Sequence, residues 1–330
     1  MTKIDTLTVP PTDDEVDTWW AVQVSAHAAD AATLPGVPVP TRVEAAGRLR
    51  VPPARGRFVH WAQADGEGHA ALLLFTEEAN THTAFLDELT VRPDARRRGV
   101  GTALWERVRA ELIDGGRTSV STVADTGGPG QAFLEALGFV NVLPMAWYVQ
   151  ELGEDAPTGS TSASQATPDV PGYELLTWAG PVPDAWAPAA AVAHGAMEDA
   201  PSGDGDERFT SWTPERVHAA QRLVLDRGGK MLMVAAVTPA GEIAAYTALV
   251  LPDPDGPRAL QYDTVVVPAH RGRGLGRAVK LRMRAEAAVR HPELRRIGTT
   301  VADENTPMLA VNEALGYRHE RGAAVFQLML

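Results

Sequence analysis

The sequence contains no cysteine, which removes disulfides, thiolate-bound zinc, iron–sulfur clusters and thiol nucleophiles together. If the chain moves an acyl group, that group cannot pass through one of its own thiols. Positive charge is also scarce, with 30 lysines and arginines against 42 aspartates and glutamates, a formal net charge of −12. That sign excludes a general binder of nucleic acid or of an anionic membrane, so an anionic ligand has to be held by a local basic site. No apolar run approaches the ~18 residues of a membrane span. The opening residues, MTKIDTLTVPPTDDEVDTWW, are acidic where a secretory signal is basic and then apolar. The expectation is a soluble, cytoplasmic protein with no nucleic-acid or membrane partner. The nine histidines form no H-x-x-x-H or H-E-x-x-H pair, which predicts no metal site. A G-x-S-x-G elbow is missing too, which speaks against a serine hydrolase.

What is present is an internal repeat. The 330 residues, 45% of them hydrophobic, suffice for about two domains with cores of their own. V-R-P-D-A-R-R-R-G-V-G begins at Val91 and V-V-P-A-H-R-G-R-G-L-G at Val266; F-L-E-A-L-G-F ends at Phe139 and V-N-E-A-L-G-Y at Tyr317. Both pairs run in the same order, so the chain reads as a duplication. Between the copies lies EDAPTGSTSASQATPDVPG, poor in large apolar residues, read as a linker. The predicted organisation is an N-terminal domain over 1–153, a linker over 154–172 and a C-terminal domain over 173–330. In the second copy, periodicity predicts a strand at GYELLTWAG, helices at DAWAPAAAVAHGAM and PERVHAAQRLVLD, then a meander of three strands, KMLMVAAVT, EIAAYTALVL and ALQYDTVVV. A helix from near Gly274, a strand RRIGTTVA, a short helix near TPMLAVNEAL and a final strand AAVFQLML follow. The first copy repeats this from RFVHWAQ to MAWYVQEL.

A strand ending in Val-x-Pro, then Arg, then Gly-x-Gly opening a helix is suited to holding phosphate. The first N–H groups of a helix are unpaired and lie at its positive end, and glycine lets an anion approach the backbone. Arg96, Arg97 and Arg98 in one copy, and Arg271 and Arg273 in the other, concentrate positive charge in an otherwise acidic chain. Neither loop ends in the G-K-[S/T] of a mononucleotide P-loop. The third glycine of a dinucleotide fingerprint is also missing, since Leu104, Arg277 and Val279 stand where it would fall.

Arg96-x-x-Gly99-x-Gly101 and Arg271-x-x-Gly274-x-Gly276, each followed by a short helix ending in Leu-Gly-Phe or Leu-Gly-Tyr, resemble the acyl-CoA motif of the GNAT superfamily of N-acetyltransferases. The resemblance covers both halves, and the tandem layout is similar to that of mycothiol synthase-like two-domain members. It implies an α/β (α+β) fold of two GNAT-like domains, each a mostly antiparallel mixed sheet flanked by helices. It implies acetyl-CoA or another acyl-CoA as co-substrate. The pyrophosphate would lie on the backbone amides near 97–102 and 272–277, with Arg96, Arg97, Arg98, Gly99, Val100, Gly101 and Thr102, and Arg271, Gly272, Arg273, Gly274, Leu275, Gly276 and Arg277, as the cofactor-binding residues of the two loops. Backbone at Leu89–Val91 and at Thr264, Val265 and Val266 would pair with the pantetheine arm. The family reaction is direct attack of an amine on the thioester, consistent with the missing cysteine.

That reaction needs a neutral amine, a stabilised oxyanion and a proton for the thiolate. The resemblance places a general base at the end of the central strand, where Glu88 and Asp263 are equivalent; Asp263 is the leading candidate, against the alternative of an ordinary charged strand end. The tyrosine that many members carry four residues before the glycine of Leu-Gly-Phe is replaced by Leu134 and Asn312. Asn312 can donate a hydrogen bond but no proton, leaving water, Tyr262 or Tyr317 as the source. Asn305 either contacts the cofactor arm, as in the family, or caps the helix that follows; the first copy has Gly127 there. The second half is therefore expected to be catalytic and the first degenerate in chemistry, with or without a retained CoA site. The segment MEDAPSGDGDERF, carrying Glu198, Asp199, Asp204, Asp206 and Glu207, either receives a cationic amine or is a solvated acidic loop. Trp178, Trp186, Trp212 and Tyr246 wall an acceptor pocket or fill the core. The expected acceptor is a small-molecule or peptide amine, and the expected assembly a monomer acting as a pseudo-dimer or a homodimer. A non-catalytic CoA-binding sensor and an O-acyl or longer-chain acyltransferase are the competing functions.

Overall fold

The computed structural model describes residues 3–152 and 169–330; most of the expected linker lies outside the described residues. In chain order the elements are β1 (Ile4–Thr6), α1 (Asp13–Asp30), α2 (Arg42–Arg50), β2 (Gly56–Gln63), β3 (Gly68–Phe75), β4 (Ala84–Val91), α3 (Val100–Asp114), β5 (Ser119–Asp125), α4 (Pro129–Ala136) and β6 (Val140–Glu151). The second half gives β7 (Glu174–Ala179), α5 (Ala187–His194), α6 (Pro214–Asp226), β8 (Lys230–Val237), β9 (Ile243–Leu251), β10 (Arg258–Val266), α7 (Leu275–Arg290), β11 (Arg296–Ala302), α8 (Thr306–Ala314) and β12 (Arg318–Met329). The fold is α/β, with mostly antiparallel sheet flanked by helices. Among the described residues, no helix is long and apolar enough to cross a membrane.

Contacts divide the chain into two compact units, and the division differs from the cut expected at residues 153 and 173. Unit 1 comprises Met1–Ala146, Ser202–Arg208 and Glu320–Leu330; unit 2 comprises Trp147–Pro201 and Phe209–His319. Most of β12, from Glu320 onward, therefore lies in unit 1, and β6 is divided after Ala146, with Trp147–Glu151 in unit 2. In unit 1 the sheet order is β1-β2-β3-β4-β5-β12, with Ala323–Met329 antiparallel to Asp125–Ser119. Buried Arg321 fixes this strand through a 3.0 Å ion pair to Asp125. Unit 2 has the order β11-β10-β9-β8-β7, and the end of β6 binds there: Glu151 pairs with Arg296 at 2.8 Å, and Leu152 N–H donates to the Arg295 carbonyl at 2.7 Å. The segment Ser202–Arg208 is seated in unit 1 by Gly203. A side chain at Gly203, whose φ is +61°, would put Cβ only 2.0 Å from the Val142 carbonyl oxygen.

The helices follow their apolar spacing. α3 buries Val100, Leu104, Trp105, Val108 and Leu112, a stripe at helical period that packs on β2, β3 and β4. The corresponding stripe of α7 includes Leu275, Ala278, Val279, Met283 and Ala287, but also Lys280. The central strand of each unit carries a bulge. On β4, Leu86 faces Leu72 while Glu88 faces Ala71, so Asp87 is the extra residue. On β10, Gln261 faces Leu249 and Thr264 faces Thr247, so Tyr262 and Asp263 together oppose Ala248. The parallel pairing of β10 with β11 covers Arg258–Leu260 and stops ahead of the bulge. A bulge re-aims side chains and ends regular pairing; here it presents Glu88 in unit 1 and Asp263 in unit 2.

Candidate active site

The two glycine-rich loops adopt one geometry. Gly99 caps α3 with φ +87° and Gly274 caps α7 with φ +76°, and neither helix start receives a side-chain cap. By contrast, α1 and α2 open on full capping boxes from Thr12 and Thr41. Open helix starts of 15- and 16-residue helices, behind glycines whose absent Cβ would meet nothing within 4 Å, leave room and donors for a phosphate. Two residues earlier the same left-handed backbone recurs, with φ +62° at Arg97 and +75° at Gly272. The leading arginine of each loop acts inward. Arg96 donates from Nε to the Val91 carbonyl and forms a bidentate pair with Asp30 at 2.6 and 2.8 Å. Arg271 repeats this with the Val266 carbonyl and with Asp199 at 2.6 Å. These two residues clamp the strand end to the loop, and the Val91 and Val266 carbonyls are correspondingly engaged. Arg273 donates to the Tyr173 hydroxyl at 2.7 Å, which in turn shares a 2.9 Å hydrogen bond with His270 Nδ1.

At the bulges the units part. Glu88 accepts from His69 Nε2 at 2.8 Å, Gln23 Nε2 at 2.9 Å, Thr90 Oγ1 at 3.0 Å and Trp19 Nε1 at 3.2 Å. Trp19 also stacks flat on the His69 ring, 3.7 Å between centroids. Burial by itself would raise the Glu88 carboxyl, but His69, then Gln23 and Thr90, outweigh it and hold it down at about 2. Asp263 is more open, its side chain 35% exposed against 19% for Glu88. The His194 imidazole lies near it, with Nε2 3.6 Å from Oδ2, just beyond hydrogen-bond reach. His194 is itself buried, stacked on Trp212 at 3.7 Å and facing Phe209 at 5.9 Å. Beside them Tyr246 is pushed well above its ordinary range, first by burial and then by the charge of Asp263.

The model of the acetyltransferase (GNAT) family matches residues 28–139 and again 194–317. The chain belongs to the GNAT acetyltransferase family. Two matches on one chain make it a tandem GNAT protein and an acyl-CoA-dependent acetyltransferase. It is 28% identical over 263 residues to mycothiol acetyltransferase of Catenulispora acidiphila, covering 77% of this chain and 76% of that one. Among solved structures, it is similar to a tandem GNAT protein from the clavulanic acid biosynthesis pathway, with a TM-score of 0.81 and 28% identity over 99% of this chain and 98% of that one. A GCN5-related N-acetyltransferase from Sphaerobacter thermophilus shares the fold at TM-score 0.70 and 15% identity, over 99% and 95% of the two chains.

Set against this GNAT frame, the residues expected from sequence fall into groups. Gly99, Val100, Gly101 and Thr102, and Gly274, Leu275, Gly276 and Arg277, lie together at their helix starts. Asn305 caps α8, its Oδ1 accepting from Met308 N–H at 3.3 Å. The acidic run is divided between the units. Glu198 and Asp199 lie in unit 2, Asp199 on Arg271; Asp204 lies in unit 1, its N–H donating to the Val142 carbonyl at 3.0 Å. Asp206 accepts from Ser119 at 2.7 Å, and Glu207 pairs with Arg55 at 2.7 Å. Trp178 and Trp186 pack against each other at 5.8 Å, whereas Trp212 and Tyr246 flank the Asp263 site. Tyr262 is half exposed at the bulge. Tyr317 is buried and donates to Gln261 Oε1 at 3.2 Å.

Asn312 is almost wholly buried, and its Oδ1 accepts from Lys280 Nζ. That ammonium lies 4.6 Å from the centre of the Tyr317 ring, and burial lowers Lys280 to about 7. In unit 1 the matching positions are Trp105, Leu134 and Phe139, an apolar trio in the core. Sequence reasoning missed Lys280 and His194. A lysine inside the apolar stripe of α7 was a usable signal for the first. His194 and Asp263 lie far apart in the chain with no shared motif, so nothing linked them before folding.

Proposed function

We propose that unit 2 is the catalytic unit and transfers an acetyl group from acetyl-CoA to a primary amine of a small molecule or peptide by direct attack. The observation that carries this is the contrast at the bulge. A carboxylate held at about 2 by His69, Gln23 and Thr90 is far too weak a base to take a proton from an amine near neutral pH. Asp263 is part-exposed, with His194 Nε2 3.6 Å from its Oδ2.

Acyl-CoA supplies an activated thioester. Its pyrophosphate fits the open start of α7, where Gly274 and Gly276 keep side chains out of the way and Arg273 and Arg277 bring positive charge. Arg271 holds the loop by clamping the Val266 carbonyl. The residues at the start of α3 offer the same cradle in unit 1, so a second CoA would be held there without turnover. Asp263 serves as acceptor of the amine proton.

The test is thiol release from acetyl-CoA with a panel of primary amines, alongside calorimetric CoA binding. Amine-dependent release supports the reading. Tight CoA binding without release for any amine indicates a sensor, and release with alcohols or with longer acyl donors alone indicates an O-acyl or longer-chain transferase.

A further inference from the structure

We propose that His194 acts with Asp263 as a proton-accepting pair, the acceptor's ammonium docking between Nε2 and Oδ2. This rests on the acetyl-transfer reading of unit 2 and adds a catalytic residue to it. The ring is placed for that role. Its Nε2 is 3.6 Å from Asp263 Oδ2, a separation that leaves the two atoms unbonded to each other and able to share a donor. Its Nδ1 is buried with no hydrogen-bond partner among the described residues. The imidazole is therefore oriented by stacking on Trp212, with ring planes 16° apart, and not by a bond on its far side. A phenyl ring would fill that stack without burying an unpaired nitrogen, which is costly, so packing does not account for the imidazole.

The comparison within the chain strengthens this. Unit 1 also has an indole stacked on an imidazole aimed at the bulge carboxylate, at 3.7 Å and 11°, but there the gap is closed to a 2.8 Å hydrogen bond. The two trios are built from different elements. His69 comes from β3 and Trp19 from α1, while His194 ends α5 and Trp212 precedes α6. The ladder position matching His69, opposite Thr90, is Tyr246, opposite Val265. His194 is thus not the duplicated copy of His69. Asp263 on β10 and Tyr246 on β9 lie beside it; Glu198 and Asp199 follow it on the turn Gly195–Asp199 that packs on α5 and β10, and α6, packed on α5, carries Glu215 and His218.

The step balances as follows. An ammonium acceptor gives one proton to the pair. The freed lone pair forms the C–N bond at the thioester carbonyl carbon. The C–S bond breaks with its electrons going to sulfur, and the second proton lost from nitrogen goes to that sulfur.

The experiment compares His194→Gln with the unaltered protein, using a strongly basic alkylamine and a weakly basic acceptor of aniline type that arrives uncharged. At pH 7 the variant should lose about 10²-fold or more in kcat/KM for the alkylamine and under about tenfold for the weak base, with CoA affinity unchanged. The alkylamine deficit should shrink as pH rises toward 10. His194→Phe, which keeps the stack, gives the same pattern and serves if the Gln variant does not fold. Equal losses for both acceptors, or no loss, would overturn the pair. No amine-dependent thiol release from the unaltered protein would overturn the acetyl-transfer reading instead.

Discussion

Unit 1 and unit 2 put a carboxylate at the same bulge of the same strand, behind glycine loops of matching backbone, and then treat it in opposite ways. In unit 1 Trp19 and Gln23 reach down from α1, His69 and Thr90 close in from the sheet, and Glu88 becomes a saturated anion inside the fold. In unit 2 the group is Asp263, one methylene shorter, with an imidazole near it but not on it. On the proposed reading, a base is made less by the acid residue than by what is left unspent around it. Four donors turn a carboxylate into a structural element, and a gap of 3.6 Å leaves one available. The same inversion recurs behind the loops, where an apolar trio of Trp105, Leu134 and Phe139 in unit 1 faces Lys280, Asn312 and Tyr317 in unit 2.

The largest expected effect tests that contrast on activity. Asp263→Asn should lower kcat/KM by about 10²- to 10⁴-fold, while Glu88→Gln should leave turnover per folded molecule within about threefold. Thiol release scored against the folded fraction decides it, and the reverse pattern would hand catalysis to unit 1. The same two substitutions should exchange places in stability. Glu88→Gln puts an amide N–H among buried donors and should cost about 2 to 4 kcal/mol by urea unfolding, whereas Asp263→Asn should cost under about 1 kcal/mol. The sign of the pH dependence follows from the depressed carboxyl. The unfolded chain binds this proton near 4.5 and the folded chain only near 2, so the contribution is complete above 4.5 and is lost as pH falls from 4.5 to 2. The loss is on the order of 3 kcal/mol and should be missing from Glu88→Gln.

The buried lysine has the opposite sense. The folded chain releases the Lys280 proton near 7 and the unfolded chain near 10.5, so the unfolded state binds more protons between those values. Stability should rise with pH across that window, and the burial penalty should be complete below it. Replacing Lys280 by Met together with Asn312 by Leu restores the apolar character seen in unit 1. It should stabilise by about 2 kcal/mol at pH 6, with the gain shrinking toward pH 10. A gain independent of pH would mean that the lysine is not the source.

Much of the fold was legible because its signals are local. The short, nearly unbroken apolar runs of β3, β8 and β9, the helical stripes of α3 and α7, and the repeated Arg-x-x-Gly-x-Gly all act within one element. The assignment of β12 to unit 1 and of the end of β6 to unit 2 was not, because β6 and β12 read as strands whichever sheet receives them. The site was half legible for the same reason. Gly99, Gly274, Glu88 and Asp263 are fixed by the repeat, but Trp19, Gln23 and His194 reach their carboxylates from more than 60 residues away. Arg96 and Arg271 looked like ligand-binding residues because charge near a phosphate loop suggests that use. Asp30 and Asp199, which claim them, lie too far off in sequence to be weighed against it.

The smallest expected effect separates the two loops at a single backbone position. Arg97 and Gly272 hold the same left-handed conformation, at φ +62° and +75°. For Gly272 a Cβ would meet nothing within 4 Å, so Gly272→Ala carries only the conformational cost, about 1 kcal/mol. Arg97→Gly relieves a similar strain but gives the unfolded chain more freedom. Its net effect on unit 1 should therefore be a gain of no more than about 0.5 kcal/mol, opposite in sign to the unit 2 change. If Arg97→Gly also weakens CoA binding at one of two calorimetric sites, the arginine is retained against its strain as an anion contact, and unit 1 keeps a ligand although its carboxylate is sealed. If CoA binds once per chain and Arg97→Gly leaves that site untouched, the loop of unit 1 is structural as well.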